Sequence, residues 1–169
     1  MCLLFDTERV LLNDDWVQIG SDIDGESAGD YSGYSVSLSS SGDRVAIGAH
    51  GNDGVGSNSG HVRVYQDIDG AWVQVGSDID GEYAGDYSGR SVSLSSSGDR
   101  VAIGADRNDS GGSNSGHVRV YQDIDGAWVQ VGSDIDGESA GDRSGISDSN
   151  EVGKPSTLTC PESKPPPSL

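Results

Sequence analysis

Residues 72–127 read WVQVGSDIDGEYAGDYSGRSVSLSSSGDRVAIGADRNDSGGSNSGHVRVYQDIDGA, and residues 16–71 spell nearly the same text. The two segments agree at 49 of 56 positions, with Trp16, Trp72 and Trp128 marking the period. A third copy starts at Trp128 and stops matching after Ser147. Self-similarity at a fixed period of this size marks repeat architectures, in which one supersecondary unit stacks on its neighbours. The fold question becomes what one such unit forms.

Within the unit the apolar residues fall into four short runs. In the first copy these are Ser35–Ser39, Arg44–Ala49, His61–Gln66 and Ala71–Gly76; in the second, Ser91–Ser95, Arg100–Ala105, His117–Gln122 and Ala127–Gly132. Each run alternates or is β-branched and is bounded by Gly, Asp, Asn or Ser, which is the pattern of half-buried strands. No segment sustains a helical period. Ser40-Ser41-Gly42-Asp43 and Asp67-Ile68-Asp69-Gly70 carry hairpin chemistry between the runs. Four antiparallel strands per repeat of about 40–60 residues form the blade of a β-propeller. The expected fold class is all-β: two full four-stranded antiparallel blades plus partial repeats, an incomplete ring. A nonapeptide β-helix has too short a period, and an immunoglobulin-like sandwich is too long.

The chain then divides into an N-terminal extension (1–15), the repeats (16–71, 72–127 and a partial 128–147), and a Pro/Ser-rich tail (148–169) expected to be disordered. Trp16–Ile19 is expected to be the last strand of a blade otherwise missing. Closed propellers need about four to eight blades. The expected resolutions are a fragment of a larger protein, or a homo-oligomer that completes the ring. Near-identical blades also invite domain swapping.

Composition excludes several functions. The 26 glycines, 33% hydrophobic residues and net charge of −18 would indicate disorder in a chain without pattern. Residues 16–143 hold 7 Arg, no Lys and 21 Asp or Glu, the wrong balance for binding nucleic acid phosphates. No apolar stretch is long enough to be a transmembrane segment. Met1–Leu12 has no basic start and contains Asp6, Glu8 and Arg9, so no signal peptide is visible. Cys2 and Cys160 lie outside the repeats and leave the compartment open.

Three motifs in order, Gly33-Tyr34-Ser35-Val36-Ser37-Leu38, Gly42-Asp43-Arg44-Val45-Ala46-Ile47-Gly48-Ala49 and Gly60-His61-Val62-Arg63-Val64-Tyr65, resemble the FG-GAP repeat. That repeat is the blade unit of the integrin α-subunit propeller. The family's Phe-Gly is Ser32-Gly33 and Ser88-Gly89 here, and its Gly-Ala-Pro is Gly48-Ala49-His50 and Gly104-Ala105-Asp106. The resemblance implies a non-catalytic adhesion or ligand-binding module, extracellular or at the cell surface. Its partner would be a protein or carbohydrate ligand. The family's calcium loop between the first two strands is reduced here to Ser40-Ser41-Gly42-Asp43 and Ser96-Ser97-Gly98-Asp99. One carboxylate cannot supply the six to eight oxygens that calcium takes, so Asp43 and Asp99 are expected to cap turns.

Two sets of candidate site residues remain. The first is acidic: Asp22, Asp24, Glu26 and Asp30, recurring as Asp78, Asp80, Glu82 and Asp86, and as Asp134, Asp136, Glu138 and Asp142. Asp-x-Asp-Gly-Glu places alternating carboxylates on one side of a bend, making Ca2+ the candidate ion; a solvated inter-blade connection is the competing reading. The second set comes from the seven differences between the copies: Ile19/Val75, Ser27/Tyr83, Tyr34/Arg90, His50/Asp106, Gly51/Arg107, Gly54/Ser110 and Val55/Gly111. All but the first flank or lie in the two connections that leave an antiparallel blade at one end. Tyr31, Tyr34, His50, Tyr83, Tyr87, Arg90, Asp106 and Arg107 would gather there as a ligand face, which is also the ligand-facing side in integrins, and they are residue types that anchor interfaces. Drift in tolerant loops competes with that reading. His61 and His117 open the third strand of each unit, one blade apart, and read as strand residues against a turn. No Ser-His-Asp or Cys-His arrangement stands out, and no enzyme is expected.

Overall fold

A computed structural model describes residues 17–147. The expectations for the N-terminal extension, Trp16, Cys2, Cys160 and the 148–169 tail lie outside the described residues. Two antiparallel sheets follow one another along the chain. The first holds β1 (Ser35–Leu38), β2 (Arg44–Ala49), β3 (His61–Ile68), β4 (Ala71–Gln74) and β5 (Ile79–Asp80). The second repeats it as β6 (Ser91–Leu94), β7 (Arg100–Ala105), β8 (His117–Ile124), β9 (Ala127–Gln130) and β10 (Ile135–Asp136). The fold is all-β, and the sheets are propeller-type blades of an open ring.

The hairpins have local causes. Asp69 and Gly70 join β3 to β4 with φ of 54° and 83°, the left-handed pair that a tight two-residue turn requires. Between β1 and β2, Asp43 Oδ1 accepts hydrogen bonds from the hydroxyls of Ser39 and Ser41. These bonds hold its carboxyl below the usual carboxylate range.

Two expectations need correction. The fourth strand stops at Gln74 rather than Gly76, and Ile79–Asp80 form a strand rather than only a bend. After β4 the chain breaks at Gly76, where φ is 70°, and resumes pairing with β3 as β5, its register advanced by two residues. Ile79 is buried in the core, which offsets the poor strand propensity of the flanking aspartates. The second correction concerns the strand expected at Trp16–Ile19. Residues 17–19 form none: among the described residues no third strand lies beside them to complete a ladder. Ile19 instead offers its carbonyl to Trp72 Nε1 at 3.0 Å, just as Val75 does to Trp128 Nε1 at 2.9 Å.

The core is the seam between the blades. Ala46, Val62, Val64 and Ile79 on one face of the first blade meet Leu94, Val101, Ile103 and Tyr121 of the second. On the first blade's other face, Val45, Ile47 and Tyr65 are covered by Ile23 and Trp72. Arg44 locks the seam at the hairpin end, donating to Gly98 O and pairing with Asp123 at 2.8 Å. Gly48 is required at the other end: a Cβ there would lie 2.1 Å from the carbonyl oxygen of Gly89.

Candidate functional site

The β2–β3 connection and the inter-blade connection emerge at the same end and are stitched together by backbone. Gly51 N–H donates to Asp30 O, Gly85 N–H to Ser57 O and Tyr87 N–H to Asn58 O. Tyr31 and Tyr87 both sit at positive φ, 55° and 58°, uncommon for a bulky residue. That conformation belongs to the turn that aims the ring. His50, directly after β2, is buried under three of these aromatic residues. Tyr31 stacks on it at 5.2 Å between centroids, Tyr34 meets it edge-on at 4.2 Å, and Tyr87 stacks at 5.7 Å. Arg90 lies over Tyr34 at 5.6 Å and Arg107 over Tyr87 at 4.4 Å. Burial, with the Arg90 charge nearby, pushes the His50 imidazole below its ordinary value.

The second copy builds the same place differently. Asp106 stands where His50 stands in the first, fully buried, with Arg90 Nε at 3.5 Å and Arg143 Nε at 3.6 Å. Tyr34 and Arg90 are equivalent positions, as are His50 and Asp106, so an aromatic box in one copy becomes an ion cluster in the next. Tyr83 stays apart from both, exposed beside a groove of about 330 Å³ lined with Asp86, Asn108 and Ser110.

The acidic residues do not act as one set. Asp30 and Asp86 are buried and accept from Asn52 and Asn108 side chains at 3.0 and 2.9 Å. Asp142 caps the N–H of Ser139 at 2.8 Å. Asp22, Asp78 and Asp134 each accept from the glutamine four residues earlier: Gln18, Gln74 and Gln130. Asp24 and Asp80 give backbone carbonyls to Arg63 and Arg119, both at 2.8 Å. Asp136 and Glu138 are exposed at the end of the partial copy.

Carboxylates from successive copies do converge, on the histidines that sequence reasoning set aside. Glu26 and Asp78 face His61, and Glu82 and Asp134 face His117, with one ligand atom from each within 4.8 Å of the others. Strand register puts the histidine at the start of β3 or β8, the break in the fourth strand delivers the aspartate from the next copy, and the segment before β1 or β6 supplies the glutamate. The grouping exists only where neighbouring copies meet in space, which the order of residues along the chain does not display.

Antiparallel four-stranded blades repeated in tandem define a β-propeller-like repeat module. Residues 21–65 match the family model described as the FG-GAP repeat. Residues 77–121 restate the matched FG-GAP segment with six changes. No curated protein matches the sequence significantly. Among the described residues no helix is long and apolar enough to cross a membrane.

Proposed function

We propose that the chain is a non-catalytic, propeller-type adhesion module that binds a protein or carbohydrate ligand through the connection end, at the cell surface or outside the cell. The cluster around His50 carries the reading. Tyr31 and Tyr34 are 64% and 54% exposed while their rings are already held against a buried imidazole, so little side-chain freedom is lost on binding. Arg90 and Arg107 flank the aromatic residues and supply planar donors for carboxylates or hydroxyls. A glycan array probed with the wild-type chain and with Tyr34→Ala tests it. Saturable binding that Tyr34→Ala weakens by roughly tenfold supports a carbohydrate ligand, as a lost anchor costs more than about 1 kcal/mol. Binding indifferent to Tyr34, Tyr87 and Arg107 would remove the site.

A second reading, a lectin-like homo-oligomer completing a propeller, rests on the outer faces of the pair. Val36 and Leu38 are 57% and 56% exposed, whereas at the seam Val92 is partly buried and Leu94, the repeat of Leu38, is 9% exposed. Light scattering decides it: a discrete trimer or tetramer supports assembly, and a monomer at every concentration ends it.

A further inference from the structure

We propose that each blade junction carries a site for a divalent transition cation: Glu82, His117 and Asp134 at one junction, Glu26, His61 and Asp78 at the other. His117 is 1% exposed, and its Nδ1 has no hydrogen-bond partner among the described residues. That nitrogen points at two carboxylate oxygens, Asp134 Oδ2 at 3.7 Å and Glu82 Oε2 at 4.0 Å. The equivalent distances from His61 Nδ1 are 3.6 Å to Asp78 and 3.9 Å to Glu26. All four exceed the roughly 2.7–3.2 Å of an N–H···O hydrogen bond. They are close to the spacing of two ligands on one ion, because atoms about 2.0–2.2 Å from a tetrahedral zinc lie roughly 3.4 Å apart.

The carboxylates are also oriented for the task. Asp134 Oδ1 accepts from Gln130 Nε2 at 2.6 Å, leaving Oδ2 for the centre. Glu82 Oε1 faces Arg119 Nη1 at 3.5 Å, and Arg119 is itself anchored on Asp80 O, leaving Oε2 for the centre. Gln74 and Arg63 do the same for Asp78 and Glu26. Supporting bonds of this kind fix ligand geometry around a metal. One imidazole with two carboxylates suits zinc, manganese or ferrous iron better than calcium, which takes an all-oxygen shell. The side chains of Glu82 and Asp134 are 33% and 24% exposed, so water can reach the ion and fill its remaining positions. Of the chain's three histidines only His61 and His117 stand at such a junction, which gives two ions per chain.

Zinc titrated calorimetrically into the full chain tests this, in a Cys2→Ser, Cys160→Ser background that removes thiol ligands. The expected result is two zinc ions per chain, one after His117→Ala, and none after His61→Ala with His117→Ala. Glu26→Gln and Glu82→Gln keep the side-chain volume at exposed positions and are expected to weaken zinc roughly 10–100-fold, with the metal-free circular dichroism spectrum unchanged. Absence of zinc binding by the wild-type chain would overturn the proposal, as would full stoichiometry in the double histidine variant. So would loss of zinc on His50→Ala alone. Ligand binding at the connection end is read separately, and neither outcome there bears on the metal count.

Discussion

His50 and Arg90 differ between the copies at their own positions, yet they act on one another across the junction. Burial is the larger cause of the lowered His50 pKa, and the Arg90 charge adds to it. An imidazole with a depressed folded-state pKa binds its proton less readily than in the unfolded chain. The unfolded state therefore holds more protons near and below about pH 6.5, and stability falls as pH drops through that window. Arg90→Gln is expected to raise the His50 pKa, followed through the ring proton shifts by NMR; a change absent or downward would refute the electrostatic link. The sequence lists Tyr34/Arg90 and His50/Asp106 as separate differences. That they compensate one another follows only from the turn at Tyr31 and Tyr87, whose positive φ no composition rule assigns to tyrosine. Aromatic and arginine enrichment at one end was legible, whereas the exclusion of Tyr83 was not, because side-chain direction there depends on the groove beside Asn108.

At the scale of elements, β5 and β10 form a built-in control. Both have the sequence Ile-Asp and the same pairing to the third strand. Ile79 is 5% exposed within the seam, while Ile135 is 58% exposed, with no blade beyond it among the described residues. Ile79→Ala is expected to cost about 2–5 kcal/mol of unfolding free energy, and Ile135→Ala to stay within roughly 0.5 kcal/mol, as read by urea denaturation. Equal effects would show that the seam does not bear on the stability of the strand. The four main strands of each blade were readable because β-branched alternation and Asp-Gly turns agree with each other. β5 was hidden, since aspartates flank its single apolar residue and the fact that decides its state, burial of Ile79, belongs to the neighbouring blade.

For the whole molecule, the two outer faces are the two halves of the seam already formed inside it. Ala46, Val62 and Val64 are at most 1% exposed where they meet the second blade, and Ala102, Val118 and Val120, their repeats, are only partly buried. Arg44 crosses the seam to Asp123, whereas among the described residues the side chain of its repeat Arg100 reaches Gln122 in its own blade, at 3.4 Å. A second copy placed with its Val36–Leu38 face on Val118 and Val120 would repeat the apolar strand-face contacts of the internal seam, since Leu38, Val45, Ile47 and Tyr65 recur as Leu94, Val101, Ile103 and Tyr121. The contact is head-to-tail, so repetition closes into a ring or runs on as a filament. Leu38→Lys puts a charge in the intermolecular seam without touching the internal one, where Leu94 does the equivalent packing. Sedimentation velocity should then show assemblies of the wild-type chain reverting to monomer in Leu38→Lys, with the urea midpoint of the monomer unchanged. Leu94→Lys is expected to unfold the blade pair instead. Assemblies that persist in Leu38→Lys would place the self-association elsewhere and leave the outer faces to another partner.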